Sequence, residues 1–157
     1  KVGKEGTDNK DSSEGGLYEL QYPEFIAELK AGKDRGGEVQ VIGSGKDDQD
    51  LDKTYKNGTV RFNNKTMINN AGLDNCIKTL RTKPSQPHNK FMVLCKNGIA
   101  KQVWTGSTNI TLAGIFGQCN TGHWIVDDDI ADKYLEYWKA LVGDPFMSKL
   151  ALVTDNI

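Results

Sequence analysis

The chain has 157 residues, 20 basic against 21 acidic, for a formal net charge of −1. That length fits one domain with a real core. Three cysteines without paired metal spacing point away from a disulfide framework and toward a reducing compartment, and neither a membrane-length apolar run nor a signal-peptide pattern is found.

Lys1 to Gly16 is polar and glycine-rich with a single Val, and reads as a flexible leader or cloning remnant. Order is expected from near Leu17, with 17–157 forming one domain. The chain starts at Lys1 without a Met, which reads as a piece of a longer protein. Pro23 suits the first turn of a helix with Phe25, Ile26 and Leu29 on its apolar face and Gly32 at its end. Glu38 to Ile42 alternates as a strand does, and the acid- and lysine-rich stretch from Gly43 to Gly58 reads as a solvated loop.

A short helix is expected over Lys65 to Ala71 and a strand over Cys76 to Leu80, with Pro84 and Pro87 bracketing the turn that follows. Phe91 to Cys95 is continuously apolar, as in a strand covered on both faces, and Lys96-Asn97-Gly98 turns the chain into a second strand, Ile99 to Thr105. A short helix is expected from Ile110 through Ala113 to Phe116. The clearest element is the last. Asp127-Asp128-Asp129 caps a helix in which Ala131, Tyr134, Leu135, Trp138, Leu141 and Val142 recur at helical spacing, before Gly143 and Pro145. The triple Asp lacks calcium-loop spacing, so capping explains it and no metal or other cofactor is expected. Trp104, Trp124 and Trp138 read as core residues. The alternation of strands and helices makes the class α/β.

Charge is unevenly distributed. From Asn75 to Val126 there are six basic residues (Lys78, Arg81, Lys83, Lys90, Lys96, Lys101) and no acid, so this segment carries +6 against −7 elsewhere. Burial alone depletes Lys as well as Asp and Glu; a segment stripped only of acids suits an anionic substrate. Within it lie His88-Asn89-Lys90 and Gly106-Ser107-Thr108-Asn109. Residues i and i+2 of a strand share a face, so an extended chain after Pro87 sets the His88 imidazole beside the Lys90 ammonium. A neighbouring cation lowers an imidazole's pKa and keeps it able to attack, while Lys90 neutralises phosphate oxygens. Gly106 allows a tight turn, and a helix starting there offers amides to an anion, with Ser107 and Asn109 as further donors.

This pair of motifs resembles the phospholipase D superfamily, in which His-x-Lys-x-x-x-x-Asp is followed by Gly-Ser-x-Asn. The resemblance runs from about Tyr22 to Pro145, and Val103 to Gln118 looks like the first half of bacterial members carrying two such motifs. It implies a mixed β-sheet flanked by helices on both faces, and a phosphodiesterase or phosphatidyltransferase working through a phosphohistidine without a metal. In that family two motifs meet across a two-fold or pseudo-two-fold axis. Carried across, His88, Lys90 and Asn109 are the catalytic residues, and Lys90, Ser107 and Asn109 bind substrate, Ser107 as an orienting hydroxyl. The substrate is expected to be a phospholipid or similar diester; the alternatives are a nuclease acting on nucleic acid, or a phosphate-binding or scaffold half without chemistry.

Only one motif is present. His123 is followed by Trp124-Ile125 and reads as an ordinary strand residue, so the partner is expected to be a second His-x-Lys half of the same parent chain, or failing that a homodimer mate. Two departures stand out. Cys95 occupies the Asp position of the motif, whose role in the family is mainly a structural ion pair. The acid that often follows the Asn by a dozen or so residues is missing from Gln118 to His123, where Gln118 or Asn120 is left to orient the imidazole.

Overall fold

The computed structural model describes residues 11–45, 53–54, 60–61, 63–83 and 87–146. In chain order the elements are β1 (Ser12–Leu17), α1 (Pro23–Asp34), β2 (Glu38–Ser44), β3 (Lys53–Thr54), β4 (Val60–Arg61), α2 (Asn64–Asn70), β5 (Ile77–Arg81), β6 (Lys90–Lys96), β7 (Ile99–Gly106), α3 (Leu112–Phe116), β8 (Gly122–Val126) and α4 (Asp128–Val142). Six strands form one mixed sheet in the order β5-β2-β1-β6-β7-β8, and β3 pairs with β4 separately. The β5-β2-β1 side is parallel; from β1 through β6 and β7 to β8 the strands are antiparallel.

Each face of the sheet is covered by helix. On one face Ala131, Leu135, Trp138 and Leu141 of α4 pack on Phe91, Val93, Cys95 and Val103. On the other, Ile26 and Leu29 of α1 and Ile68 of α2 pack with Leu17, Val39, Val41 and Ile110. Burying these two faces is the main driving force of the fold. The α/β class and the helices on both faces expected from sequence are what the structure has. Pro23 opens α1 and Asp127 caps α4, accepting from the Ile130 amide at 2.9 Å.

Several expectations need correction. Ser12 to Gly16 is not a leader but the body of β1, a central strand between β2 and β6. Its composition hides it because its neighbours demand small residues. A Cβ on Gly16 would sit 2.7 Å from the Phe91 ring, and the Gly15 carbonyl accepts from the Trp138 indole at 3.1 Å. Residues 1–10 lie outside the described residues, as does most of the expected loop Gly43 to Gly58, although β2 runs on through Ser44. Helix α1 passes Gly32 and turns at Arg35–Gly36. Helix α3 begins two residues later than expected, because Thr111 is its cap and accepts from the Gly114 amide at 2.9 Å. Trp138 is core and Trp104 partly so, but Trp124 is 52% exposed on the edge strand β8.

Candidate functional site

The two motifs meet at one end of the sheet because of strand register. Leu17 of β1 pairs with Lys90 of β6, Phe91 pairs with Thr105, and Gly106 pairs with Gly122 of β8. One step beyond the Phe91–Thr105 pair, Lys90 lies beside Gly106. The Thr105 hydroxyl donates to the Lys90 carbonyl at 3.3 Å.

The segment leaving β1 ties these ends together. Its Tyr18 amide donates to the Asn89 carbonyl at 2.7 Å. The Ile110 amide donates to the Glu19 carbonyl at 3.1 Å, and the Gln21 and Tyr22 amides both donate to the Ile110 carbonyl. Thus residues 18–22 grip the His-x-Lys triplet on one side and the residue after Asn109 on the other. Asn64, the first residue of α2, fixes that segment in turn. Its side chain is 1% exposed, donates to the Tyr18 carbonyl at 2.8 Å and accepts from the Leu20 amide at 2.9 Å.

His88 is exposed, and its ring lies against Tyr18 with centroids 4.7 Å apart. Lys90 is 6% exposed. Its ammonium stands over the same Tyr18 ring, 5.1 Å from the centroid, and donates to the His88 carbonyl at 3.2 Å. A cation held over an aromatic face is attracted by the ring quadrupole. The His88 pKa is lowered from its ordinary value by loss of water contact and then by the Lys90 ammonium, with Glu19 opposing. Lys90 is lowered by burial, again with Glu19 opposing. The neutral form of the imidazole is therefore favoured.

Asn89 is more than a spacer. Its side-chain carbonyl accepts from Arg81 at 3.3 Å, and its amide donates to the Tyr137 hydroxyl at 2.9 Å. Arg81, 1% exposed, also donates to the Pro145 carbonyl and lies 3.4 Å from the Asp144 carboxylate. That ion pair falls short of hydrogen-bond geometry, since Arg81 Nε and Asp144 Oδ1 are left without such a partner among the described residues. Asp144 is held below the usual carboxylate range: burial raises it, but the Thr82 amide and hydroxyl, the Lys83 amide and Arg81 together prevail.

The Gly-Ser-x-Asn turn is built differently from expectation. A Cβ on Gly106 would sit 2.2 Å from the Thr121 carbonyl oxygen, so close approach of β7 to the β8 entry requires glycine here. The Ser107 hydroxyl accepts from the Thr121 amide at 3.0 Å and donates to Asn120 at 3.2 Å. Asn120 donates to Gly114 and Gln118. Asn120 is thus committed to the turn. Asn109 is half-buried, and its side-chain oxygen has no hydrogen-bond partner among the described residues. The only start of α3 available is the one Thr111 caps, so free helix amides do not lie at Ser107 or Asn109. His123, on β8 opposite Thr105, is exposed.

An acid does reach the Asp position of the motif, from an unexpected strand. The Cys95 thiol donates to the buried Glu14 carboxylate at 3.3 Å. Burial first, then Glu14, pushes the Cys95 thiol up to about 12. The sequence points to neither Glu14 nor Asn64, and to Arg81 only as one of six cations. Among the described residues, no group of three or more metal-ligating side chains gathers, and no helix is long and apolar enough to cross a membrane.

The fold is similar to that of a phospholipase D family member, Nuc from Salmonella typhimurium, with a TM-score of 0.62 and 21% identity over 85% of this chain and 78% of that one. It is also similar to NucT from Helicobacter pylori (TM-score 0.61, 17% identity, 85% and 79% covered). A polyphosphate kinase from Porphyromonas gingivalis shares the fold over 87% of this chain but 22% of its own (TM-score 0.58, 14% identity). No curated protein sequence matches. Residues 9–142 match the family described as "Cardiolipin synthase, PLD-like domain", so the match takes in β1 and reaches the end of α4, and the chain belongs to that phospholipase D-like family.

Proposed function

We propose that this chain supplies one half-site of a phosphodiesterase or phosphatidyltransferase in which His88 is the nucleophile. The observation that carries the reading is the pairing of an exposed imidazole, its pKa lowered, with a buried ammonium two residues on, over one Tyr18 ring. A nitrogen lone pair of His88 forms an N–P bond as the ester P–O bond breaks. The electron pair of that bond goes to the leaving oxygen, which takes a proton from a second acid. Water, or a second alcohol, then attacks phosphorus, gives up its proton to the base left behind, and returns neutral imidazole as N–P breaks. Lys90 offsets charge on the non-bridging oxygens, and Asn109 holds one of them. Ser107, through Asn120 and Thr121, fixes the turn that carries Asn109. Lysine and amide supply the charge stabilisation, so the step requires no metal.

The second acid belongs to another His-x-Lys motif, from a second half of the parent chain or a second copy of this one. An exposed apolar rim beside the turn, Leu112 at 65% and Phe116 at 71%, favours a phospholipid-like diester over nucleic acid. The test is hydrolysis of bis(4-nitrophenyl) phosphate in the presence of chelator by the paired protein. Loss of turnover in His88→Ala supports the reading; turnover that persists in that variant contradicts it.

A further inference from the structure

The exposed imidazole and the buried ammonium of the half-site are separate side chains, and something beyond their own backbone must keep them side by side. We propose that Tyr18 does this: it is a positioning residue whose aromatic ring is the common surface for His88 and Lys90. The assignment rests on His88 being the nucleophile.

Tyr18 can serve as a fixed surface because its backbone is held on both sides. Its amide donates to the Asn89 carbonyl at 2.7 Å, and its carbonyl accepts from the Asn64 side chain at 2.8 Å. Leu17 before it is 2% exposed and pairs with Lys90, and Leu20 beyond it is 1% exposed. The ring, itself half-buried, is therefore set by the core rather than by the segment that carries His88.

Both functional groups touch that ring. The His88 and Tyr18 ring centroids are 4.7 Å apart with their planes tilted by 59°, within the range where aromatic pairs attract. That contact restrains an imidazole that is otherwise exposed. The Lys90 ammonium stands 5.1 Å from the same centroid and donates to the His88 carbonyl at 3.2 Å. Lys90 is buried, and burial works against its charge. The negative face of an aromatic ring opposes that loss, and Lys90 offsets phosphate charge only while it is protonated. An aliphatic side chain of similar size would fill the space without attracting the cation.

The test is nuclear magnetic resonance of the unmodified chain and of Tyr18→Leu and Tyr18→Phe. In the unmodified chain the Tyr18 ring protons show Overhauser contacts to the His88 ring protons and to the Lys90 ε protons, a reading that needs no variant to fold. In Tyr18→Leu the ring-current displacement of the His88 protons is lost, and the Lys90 midpoint falls by about 0.5–1 pH unit, the size expected for losing a desolvated cation–π contact. His88, Lys90 and Glu19, the charges that act on one another here, all remain in that variant, so the change reads the ring alone. Diester hydrolysis by the paired protein loses about tenfold or more in kcat/KM, as expected for a misplaced reacting group. Tyr18→Phe restores all three readings, and His123 resonances stay put in both variants. Missing Overhauser contacts, a Lys90 midpoint unchanged by Tyr18→Leu, or a Tyr18→Phe that behaves like Tyr18→Leu overturns the proposal. The spectroscopic readings require no turnover, so failure of the unmodified protein to hydrolyse a diester would count against the nucleophile reading alone.

Discussion

The guanidinium of Arg81 donates to the side-chain carbonyl of Asn89 at 3.3 Å, so the middle residue of His88-Asn89-Lys90 is anchored to the end of α4. Arg81 is buried, and its charge is balanced by Asp144. Removing one partner of a buried pair costs about 3–5 kcal/mol. Arg81→Met is expected to lie at the lower end of that range, because Asp144 is partly exposed, and to lower turnover by loosening Asn89. Denaturant unfolding and kinetics on the same preparation check both. Asp144 adds a pH arm of known sign. Its folded-state midpoint lies below the ordinary 3.8, so its contribution is complete above that value and is lost as pH falls through the lower midpoint. Asp144→Asn should flatten that part of the stability profile.

Asn64 and the strand exit it clamps make a second case. Replacement by Ala leaves the Leu20 amide and the Tyr18 carbonyl without their partner, at about 1–3 kcal/mol for each buried group. The expected loss for Asn64→Ala is roughly 2–4 kcal/mol, read by thermal or denaturant unfolding. A change below the scatter of surface substitutions would show that the clamp contributes nothing.

Loss of water contact, and then the Lys90 ammonium, hold the His88 imidazole below 6.5, so kcat/KM should rise with pH through a midpoint under that value, as the nucleophile loses its proton. Lys90→Gln removes the cation, and the His88 midpoint should move up. A midpoint that stays or falls contradicts the electrostatic account, whatever happens to the rate.

Thiol chemistry reports on the packing of β1 against β6. Cys119 is exposed, whereas Cys76 and Cys95 are buried, and Cys95 is pushed up to about 12. Alkylation of the native protein at neutral pH should label Cys119 alone, with Cys76 and Cys95 labelled only on unfolding. Mass spectrometry of digests distinguishes them. Native labelling of Cys95 would mean that Glu14 and β1 do not cover it.

What could be read in the sequence was local. Hairpin strands β6 and β7 and helix α4 announce themselves by runs and spacings set within a few residues. The two motifs, six-tenths of the way along the chain, carry enough spacing to name the chemistry. What escaped was set by distant neighbours. Ser12 to Gly16 looks like a linker, although at Gly16 it is the Phe91 ring that leaves no room for a side chain. Glu14 reaches Cys95 across 81 positions, and Asn64 holds Leu20 across 44. A signal was present in Arg81, a cation at the end of an otherwise half-apolar strand, where burial demands a partner.

The most direct measurement is base-quenched mass spectrometry of the paired protein during turnover of a diester, with the modified peptide sequenced. The account expects a base-stable, acid-labile N-phosphoryl adduct carrying the retained ester group on His88, formed in the presence of chelator and absent in His88→Ala. Turnover without any such adduct on His88, or with the adduct on another residue, would contradict it.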